Sequence, residues 1–290
     1  MQKVGLILLI GFLASLTIAS IDTGTSYIPP VTFTALRLAL ASLMYGIILY
    51  FLKPEYQWCK RGVADMFIVS LLNVGLPFLS LATALKYISG SLSAALLNTT
   101  PIFTMVIAHY LLADERLNLV KIVGAAVAIT GATILLLNNA TGLTVPQQQG
   151  WLGQSLIIFA SFTSALGVIY TRLRMREVNI FALTGGQIFA GLIFVVPVAL
   201  MLEGLPNLAG FAWQGWAGAL GAALCGPVLI YWLVFYMIKK YSASFGSFAG
   251  ITTPFFSVLI GMLFMGEVLT LPMLLGMLCL SLGVWSLNYF

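Results

Sequence analysis

Residues 91–117, SLSAALLNTTPIFTMVIAHYLLADERL, place a proline near the middle of an apolar run that stops abruptly at Asp114-Glu115-Arg116. Proline removes a backbone donor and crowds the preceding turn, so it kinks or loosens a helix. In hydrocarbon the freed carbonyl must find another partner, and such a break is tolerated only where protein or water supplies one. Residues 244–269, SFGSFAGITTPFFSVLIGMLFMGEVL, carry the same Thr-Thr-Pro core and the same terminal glutamate. The chain contains this device twice, around Pro101 and around Pro254.

The surroundings of both stretches say which solvent they meet. Of 290 residues, 61% are hydrophobic and only 7% charged, where an ordinary soluble domain is roughly 25% charged. The mean hydropathy is +1.06. So few charged side chains cannot cover a soluble domain of this size, so the chain reads as an all-α integral membrane protein. The net charge of +5 is not a nucleic-acid footprint, because the basic residues sit in short loops between apolar runs. Cys59, Cys225 and Cys279 share no metal-ligand spacing and read as free thiols.

A hydrocarbon core of roughly 30 Å asks for about 20 apolar residues per helix. Runs of that kind fall near residues 4–21, 31–52, 64–86, 91–112, 118–138, 152–172, 179–202, 212–238, 243–265 and 270–289. Turn formers and charges mark the breaks, among them Asp22 to Pro30 and Asn138 to Gly150. Ten spans put both termini on one side. The charges test this: Lys3, Lys53, Lys60, Arg61, Arg116, Lys121, Arg172, Arg174, Arg176, Lys239 and Lys240 fall in one set of loops, and only Lys86 in the other. The positive-inside rule then places both termini in the cytoplasm. A cleaved secretory signal is the competing reading of the first run, with Ala19-Ser20 as its cleavage site. The counterpart of that run at 152–172 argues against removal.

Pro101 and Pro254 lie 153 positions apart, and the same shift carries Lys86 onto Lys239. A shift of 152 carries Glu115 onto Glu267, Gly124 onto Gly276 and Gly131 onto Gly283. The division is therefore residues 1–140, a connecting loop 141–150, and residues 151–290, with five spans in each half. An odd number makes the second half enter from the opposite membrane face. Inverted repeats of this kind are characteristic of secondary transporters, with the site near the midplane between the halves.

The chain resembles the drug/metabolite transporter (DMT) superfamily, in particular its ten-span EamA family. The resemblance is carried by SAALLNTTPIFTMVIAHYLLADERL and GSFAGITTPFFSVLIGMLFMGEVL, by ALRLALAS with Arg37 early in the second span, and by the Gly-rich fifth and tenth spans. It implies a carrier of small metabolites in the cytoplasmic (inner) membrane, often an exporter of amino acids or related compounds.

Candidate site residues follow from the breaks and from polar groups inside spans. Asn98 and Thr99 precede Pro101, and Thr252 precedes Pro254, so their side chains either satisfy local carbonyls or face a polar pathway. The competing reading is that both prolines only shape packing. Arg37 is the one basic residue well inside a span, where an ionisable group is a functional hypothesis by default. It either grips a substrate carboxylate, snorkels to the outer interface, or pairs with Asp22. Tyr231, Trp232 and Phe235 either line a cavity for an apolar substrate or belong to an aromatic belt at the interface. Asn73, Phe78 and Thr163 lie at similar depth. His109 and the span-end carboxylates Glu115 and Glu267 are candidates for gating or proton coupling. A glutamate at a helix C-terminus opposes the helix dipole, unless it serves the start of the next helix; against coupling, both glutamates fall at interfacial depth. The glycines at 124, 131, 276 and 283 leave a small-residue face, used either between two helices of one chain or between two copies.

No nucleotide-binding loop, metal-ligand cluster or nucleophile beside a base appears in the sequence. No cofactor or metal is expected, and the chain is not read as an enzyme. A channel would need a continuous polar stripe or a charged ring, and only scattered Ser, Thr and Asn are present. The expectation is a secondary transporter moving a small molecule, an amino acid or related compound, by alternating access. Its partners are the substrate, the bilayer and no nucleic acid. It works with or without protons, as monomer or homodimer. Cationic drugs are the alternative cargo.

Overall fold

The computed structural model describes residues 2–52, 60–111, 118–137, 141–143, 149–175, 177–230, 233 and 243–289. Among the described residues every regular element is helical. In chain order α1 is Gln2–Thr25, α2 Pro30–Leu52, α3 Lys60–Ser70, α4 Leu76–Ala84, α5 Gly90–Leu97 and α6 Thr100–Leu111. The rest are α7 Leu119–Leu137, α8 Gly150–Arg174, α9 Ile180–Leu202, α10 Trp213–Ala223, α11 Ala243–Phe264 and α12 Leu271–Tyr289. Seven helical stretches, such as Gly62–Ala84 and Gly90–Leu111, are long and apolar enough to cross a bilayer, and Gly250–Phe264 and Leu271–Ser286 are shorter apolar helices. Tyr50, Phe51, Tyr110 and Met201 point outward and are exposed, as a lipid-facing surface requires. This is a multi-pass membrane protein.

The apolar runs are less uniform than the sequence suggests. The run at 64–86 is interrupted by a π-helical turn, Leu71–Gly75, between α3 and α4. The run from 212 continues past α10 as a π-helix, Leu224–Ile230, which contains Pro227. A wider i→i+5 ladder is one way for a helix to absorb a residue that lacks an N–H. The two Thr-Thr-Pro stretches, alike in sequence, behave differently. The first breaks at Asn98-Thr99, ahead of Pro101, into α5 and α6, whereas Pro254 sits inside a continuous α11. Asp22, expected in the first loop, lies in the last turn of α1.

Tertiary packing joins the two halves throughout. Helix α1 packs on α10 and α11, α8 on α4 and α6, α2 on α9, and α7 on α12. Replacing each apolar run by its counterpart in the other half leaves this set of pairings unchanged. The α7–α12 contact answers the question raised by the glycine face, because the two helices meet within one chain. A Cβ on Gly131 would stand 2.5 Å from the Leu280 amide nitrogen and 2.6 Å from the Gly276 carbonyl oxygen. One on Gly283 would meet the Ala128 amide nitrogen, with the Gly124 carbonyl oxygen at 2.6 Å. Both obstacles are backbone and cannot swing aside. Gly131→Leu should therefore lower stability by ~1–3 kcal/mol or more through overpacking. Gly5→Ala, with nothing within 4 Å of the added carbon, should change it by less than ~0.5 kcal/mol. Thermal melting of the purified protein in detergent compares the two.

Candidate functional site

The Pro101 break shows how the chain handles a missing donor in lipid. Pro101 cannot donate to the carbonyl four residues back, that of Leu97. The Thr100 hydroxyl donates to it instead at 2.8 Å, and the Thr99 hydroxyl donates to the Leu96 carbonyl at 2.8 Å. Asn98 and Thr99 turn more tightly, their amides donating three residues back to Ala95 and Leu96 at 3.0 Å each. Pro254 withholds the donor for the Gly250 carbonyl in the same way.

Leu97, Asn98 and Gly250 all border one cavity of about 320 Å³ between the halves. The first half supplies Arg37, Phe78 and Asn98, with apolar walls from α1, α4 and α5. The second half supplies Gly226, Pro227 and Ile230 from the π-helical stretch, and Gly250 and Thr253 from α11. Arg37 is 2% exposed, and its guanidinium carbon lies 3.8 Å from the centroid of the Phe78 ring. Cation–π stacking of this kind fixes the plane of the guanidinium. Asn98 is 7% exposed, and its Nδ2 has no hydrogen-bond partner. A larger depression of about 580 Å³ between α2 and α9 is walled by Leu43, Ile47, Tyr50 and Phe51, side chains that are themselves exposed. It lies on the lipid-facing flank.

Three residues read from the sequence, Arg37, Phe78 and Asn98, thus share one cavity. Others sit elsewhere. The Thr99 hydroxyl is used on its own helix, as is that of Thr163, which donates to the Phe159 and Ala160 carbonyls at 3.1 Å each. Asn73 Nδ2 donates to Gln187 Oε1 at 3.4 Å and packs against Gly167 of α8. Thr252 faces α1, its hydroxyl donating to the Ile7 carbonyl at 3.4 Å, while its neighbour Thr253 borders the cavity. His109 is exposed beside Tyr110, with ring centroids 5.3 Å apart, away from the cavity wall. Tyr231, Trp232, Phe235 and Glu115 lie outside the described residues. Thr17, Gly226 and Gly250 were missed. The Gly226-Pro227 pair was a legible break signal beside the aromatic cluster.

Glu267 corrects an expectation. It serves neither the helix it follows nor the next one, but the start of α5 in the other half. The Gly90 amide donates to its Oε1 at 2.8 Å and the Ser91 amide to its Oε2 at 3.2 Å, and the Ser91 hydroxyl also donates to Oε2. A carboxylate among the free N–H groups of a helix start is favoured by the helix dipole. Glu203 does the same for α2, accepting from the Val31 amide at 3.1 Å and the Thr32 amide at 2.7 Å. Beside them, the Ser89 amide donates to the Thr141 carbonyl at 2.8 Å and the Val268 amide to the Gly142 carbonyl at 2.9 Å. One end of the molecule is therefore sealed by hydrogen bonds, most of them between the halves.

Comparison with known proteins agrees with this arrangement. The EamA-like transporter family matches at residues 1–137 and again at 151–289. The chain belongs to the EamA-like transporter family. Among relatives of this EamA-like chain, the uncharacterized transporter YoaV of Bacillus subtilis is 23% identical over 270 residues, covering 93% of this chain and 90% of that protein. Protein PecM of Dickeya dadantii is 28% identical over 262 residues, covering 87% and 84% respectively. A solved crystal structure shares the fold, with TM-score 0.64 at 16% identity over 97% of this chain and 94% of that one.

Burial pushes the Glu267 carboxyl above the usual carboxylate range, against the pull of its hydrogen bonds from Ser91, Gly90 and Ser89. The folded state then holds its proton more tightly than the unfolded chain does. Its contribution to stability is present below the ordinary glutamate range and is lost as pH rises towards the raised value. Glu267→Gln should flatten that decline in melting temperature, measured across a pH series. Glu267→Ala should remove the cap at a cost of roughly 1 kcal/mol.

Proposed function

We propose that the chain is a secondary transporter that moves a small metabolite, an amino acid or a related compound, out of the cell across the cytoplasmic (inner) membrane by alternating access. In this reading ten helices cross the bilayer as two inverted five-helix repeats, 1–140 and 151–290, with both termini in the cytoplasm. The end of α1 with Asp22, and the loops holding Ser89, Glu203 and Glu267, then lie on the outer side, and the hydrogen bonds made by Ser89, Glu203 and Glu267 form an outer seal.

The observation that carries the reading is the cavity between the halves, with Arg37 and Asn98 on its wall, below the end closed by Glu267 and Glu203. A largely apolar cavity between the halves that carries two polar side chains, with one end shut, is what a carrier presents in one of its two states. A channel would need a continuous polar path. The cationic-drug reading gains nothing here, since no Asp or Glu appears among the described lining residues. Coupling to protons is assigned in this proposal to Glu267, whose protonation would weaken its hold on the α5 N-terminus. The working unit is a monomer or a homodimer, and any dimer uses a surface other than the α7–α12 glycine face.

Counterflow in proteoliposomes loaded with a mixture of the proteinogenic amino acids tests the proposal. The unaltered protein should accumulate a labelled amino acid transiently and saturably. Arg37→Ala should reduce the initial rate at least ~tenfold, equivalent to ~1.4 kcal/mol. Flux that stays linear with concentration, without counterflow, would indicate a channel instead. Dissipating the pH gradient should slow export by the unaltered protein and leave Glu267→Gln unaffected.

A further inference from the structure

Resting on the transporter reading above, and narrowing its cargo from amino acids to the related carboxylates that lack the ammonium group, we infer that the cavity prefers a small organic anion, a monocarboxylate with an apolar or aromatic body, over the zwitterion or cation of the same skeleton. Charge is the first argument. Arg37 places a guanidinium at the wall, and no Asp or Glu appears among the described lining residues. A carboxylate entering there meets a full positive charge held in place by stacking on Phe78. An ammonium group finds no counter-charge and shares a small, poorly hydrated space with a cation, which is costly at low dielectric.

The second argument is Asn98. Its side chain is 7% exposed and borders the cavity, yet Nδ2 has no partner. A buried donor left unpaired is expensive until a ligand oxygen meets it. The acceptors that face an incoming N–H are neutral by comparison. Thr17 already donates its hydroxyl proton to the Leu13 carbonyl at 2.9 Å, and Gly250 offers the carbonyl that Pro254 leaves without its helical donor. Such acceptors suit a hydroxyl or an amide and do not balance a full positive charge.

Size and lining complete the description. A cavity of about 320 Å³ lies at the small end of the ~300–1,000 Å³ typical of ligand sites. It holds one small molecule. Ile18, Ile21, Leu81 and Ile230 make the remaining wall apolar, which favours an aliphatic or aromatic body and disfavours a sugar phosphate.

Three probes with one benzyl skeleton and different charge test this: phenylpyruvate, phenylalanine and phenethylamine. Binding to the purified full-length protein is measured by calorimetry at neutral pH, and exchange by counterflow in proteoliposomes. Phenylpyruvate should bind at least ~tenfold more tightly than either of the others. Asn98→Asp, nearly isosteric, should weaken phenylpyruvate at least ~tenfold and strengthen phenethylamine, because it puts a carboxylate where the amide donor was. Arg37→Lys, which keeps the charge but loses the planar head stacked on Phe78, should weaken phenylpyruvate and phenylalanine, which share the carboxylate, and leave phenethylamine unchanged. The inference falls if phenylalanine or phenethylamine binds as tightly as phenylpyruvate, if Asn98→Asp leaves the order unchanged, or if none of the three binds. Should phenylalanine bind best and exchange, the anion site is wrong and the transporter stands. Should phenylpyruvate bind in the expected order while nothing exchanges, the anion site stands and the transporter reading is wrong.

Discussion

A carbonyl that loses its donor inside a bilayer has no water to turn to, and this constraint organises the centre of the molecule. Pro101 strips the Leu97 carbonyl, which recovers a hydrogen bond from Thr100. Pro227 lies in a stretch that runs as a π-helix. Pro254 leaves the Gly250 carbonyl without its helical donor, at a point where α11 meets the cavity. Pro197, by contrast, lies within α9, which does not border the cavity. The breaks at Pro101, Pro227 and Pro254 thus meet at the cavity, where regular packing stops.

The same constraint governs the end of the molecule that is closed. The first N–H groups of a helix have no partner within it, and near the hydrocarbon boundary water alone is an uncertain acceptor. Helices α2 and α5 solve this with carboxylates from the opposite half, Glu203 and Glu267. Because each cap crosses between the halves, it is complete only when the halves are close at that end. Ser89 reinforces the point locally, since its hydroxyl accepts from the Leu92 amide at 3.2 Å while its own amide is held by Thr141. Separating the halves would expose the starts of two helices at once, so under the proposed alternating access the closed end would open as a unit.

Much of this was legible in the sequence, for physical reasons that differ from residue to residue. The apolar runs, their breaks and the family follow from composition and repetition, which are properties of the chain alone. Arg37 and Asn98 stood out because a polar group in hydrocarbon needs a reason to be there. Thr163 and Asn73 stood out equally and do not border the cavity; depth along a helix can be read from a sequence, whereas the direction a side chain faces depends on which neighbours pack against it. Thr252 and Thr253 show the same limit at a single residue's resolution. Gly226 and Gly250 contribute by leaving space, and an absent side chain carries no chemical signal. The partner of Glu267 lies 177 positions away, and nothing local distinguishes a carboxylate that caps a distant helix from one that ends its own.

The two Thr-Thr-Pro stretches share their core but differ around it, the residue directly before the core included. Asn98 precedes the first pair and Ile251 occupies its place in the second. Only the first stretch breaks, and among the described residues only the first half brings a cation and an unpartnered amide to the cavity, while the second brings glycines, a proline and a threonine. In the proposed site a ligand held by Arg37 and Asn98 would be held by one half, and among the described residues the second half lines the cavity without a charged group. In alternating access the halves must move past a site that stays occupied, and a site whose strong contacts all belong to one body survives that motion intact. A strictly symmetric pair of stretches would have split the polar contacts between the bodies and broken half of them at each transition. Sequence differences around the shared core, asparagine against isoleucine among them, would let one repeated motif serve in the proposed carrier as anchor in one copy and as wall in the other.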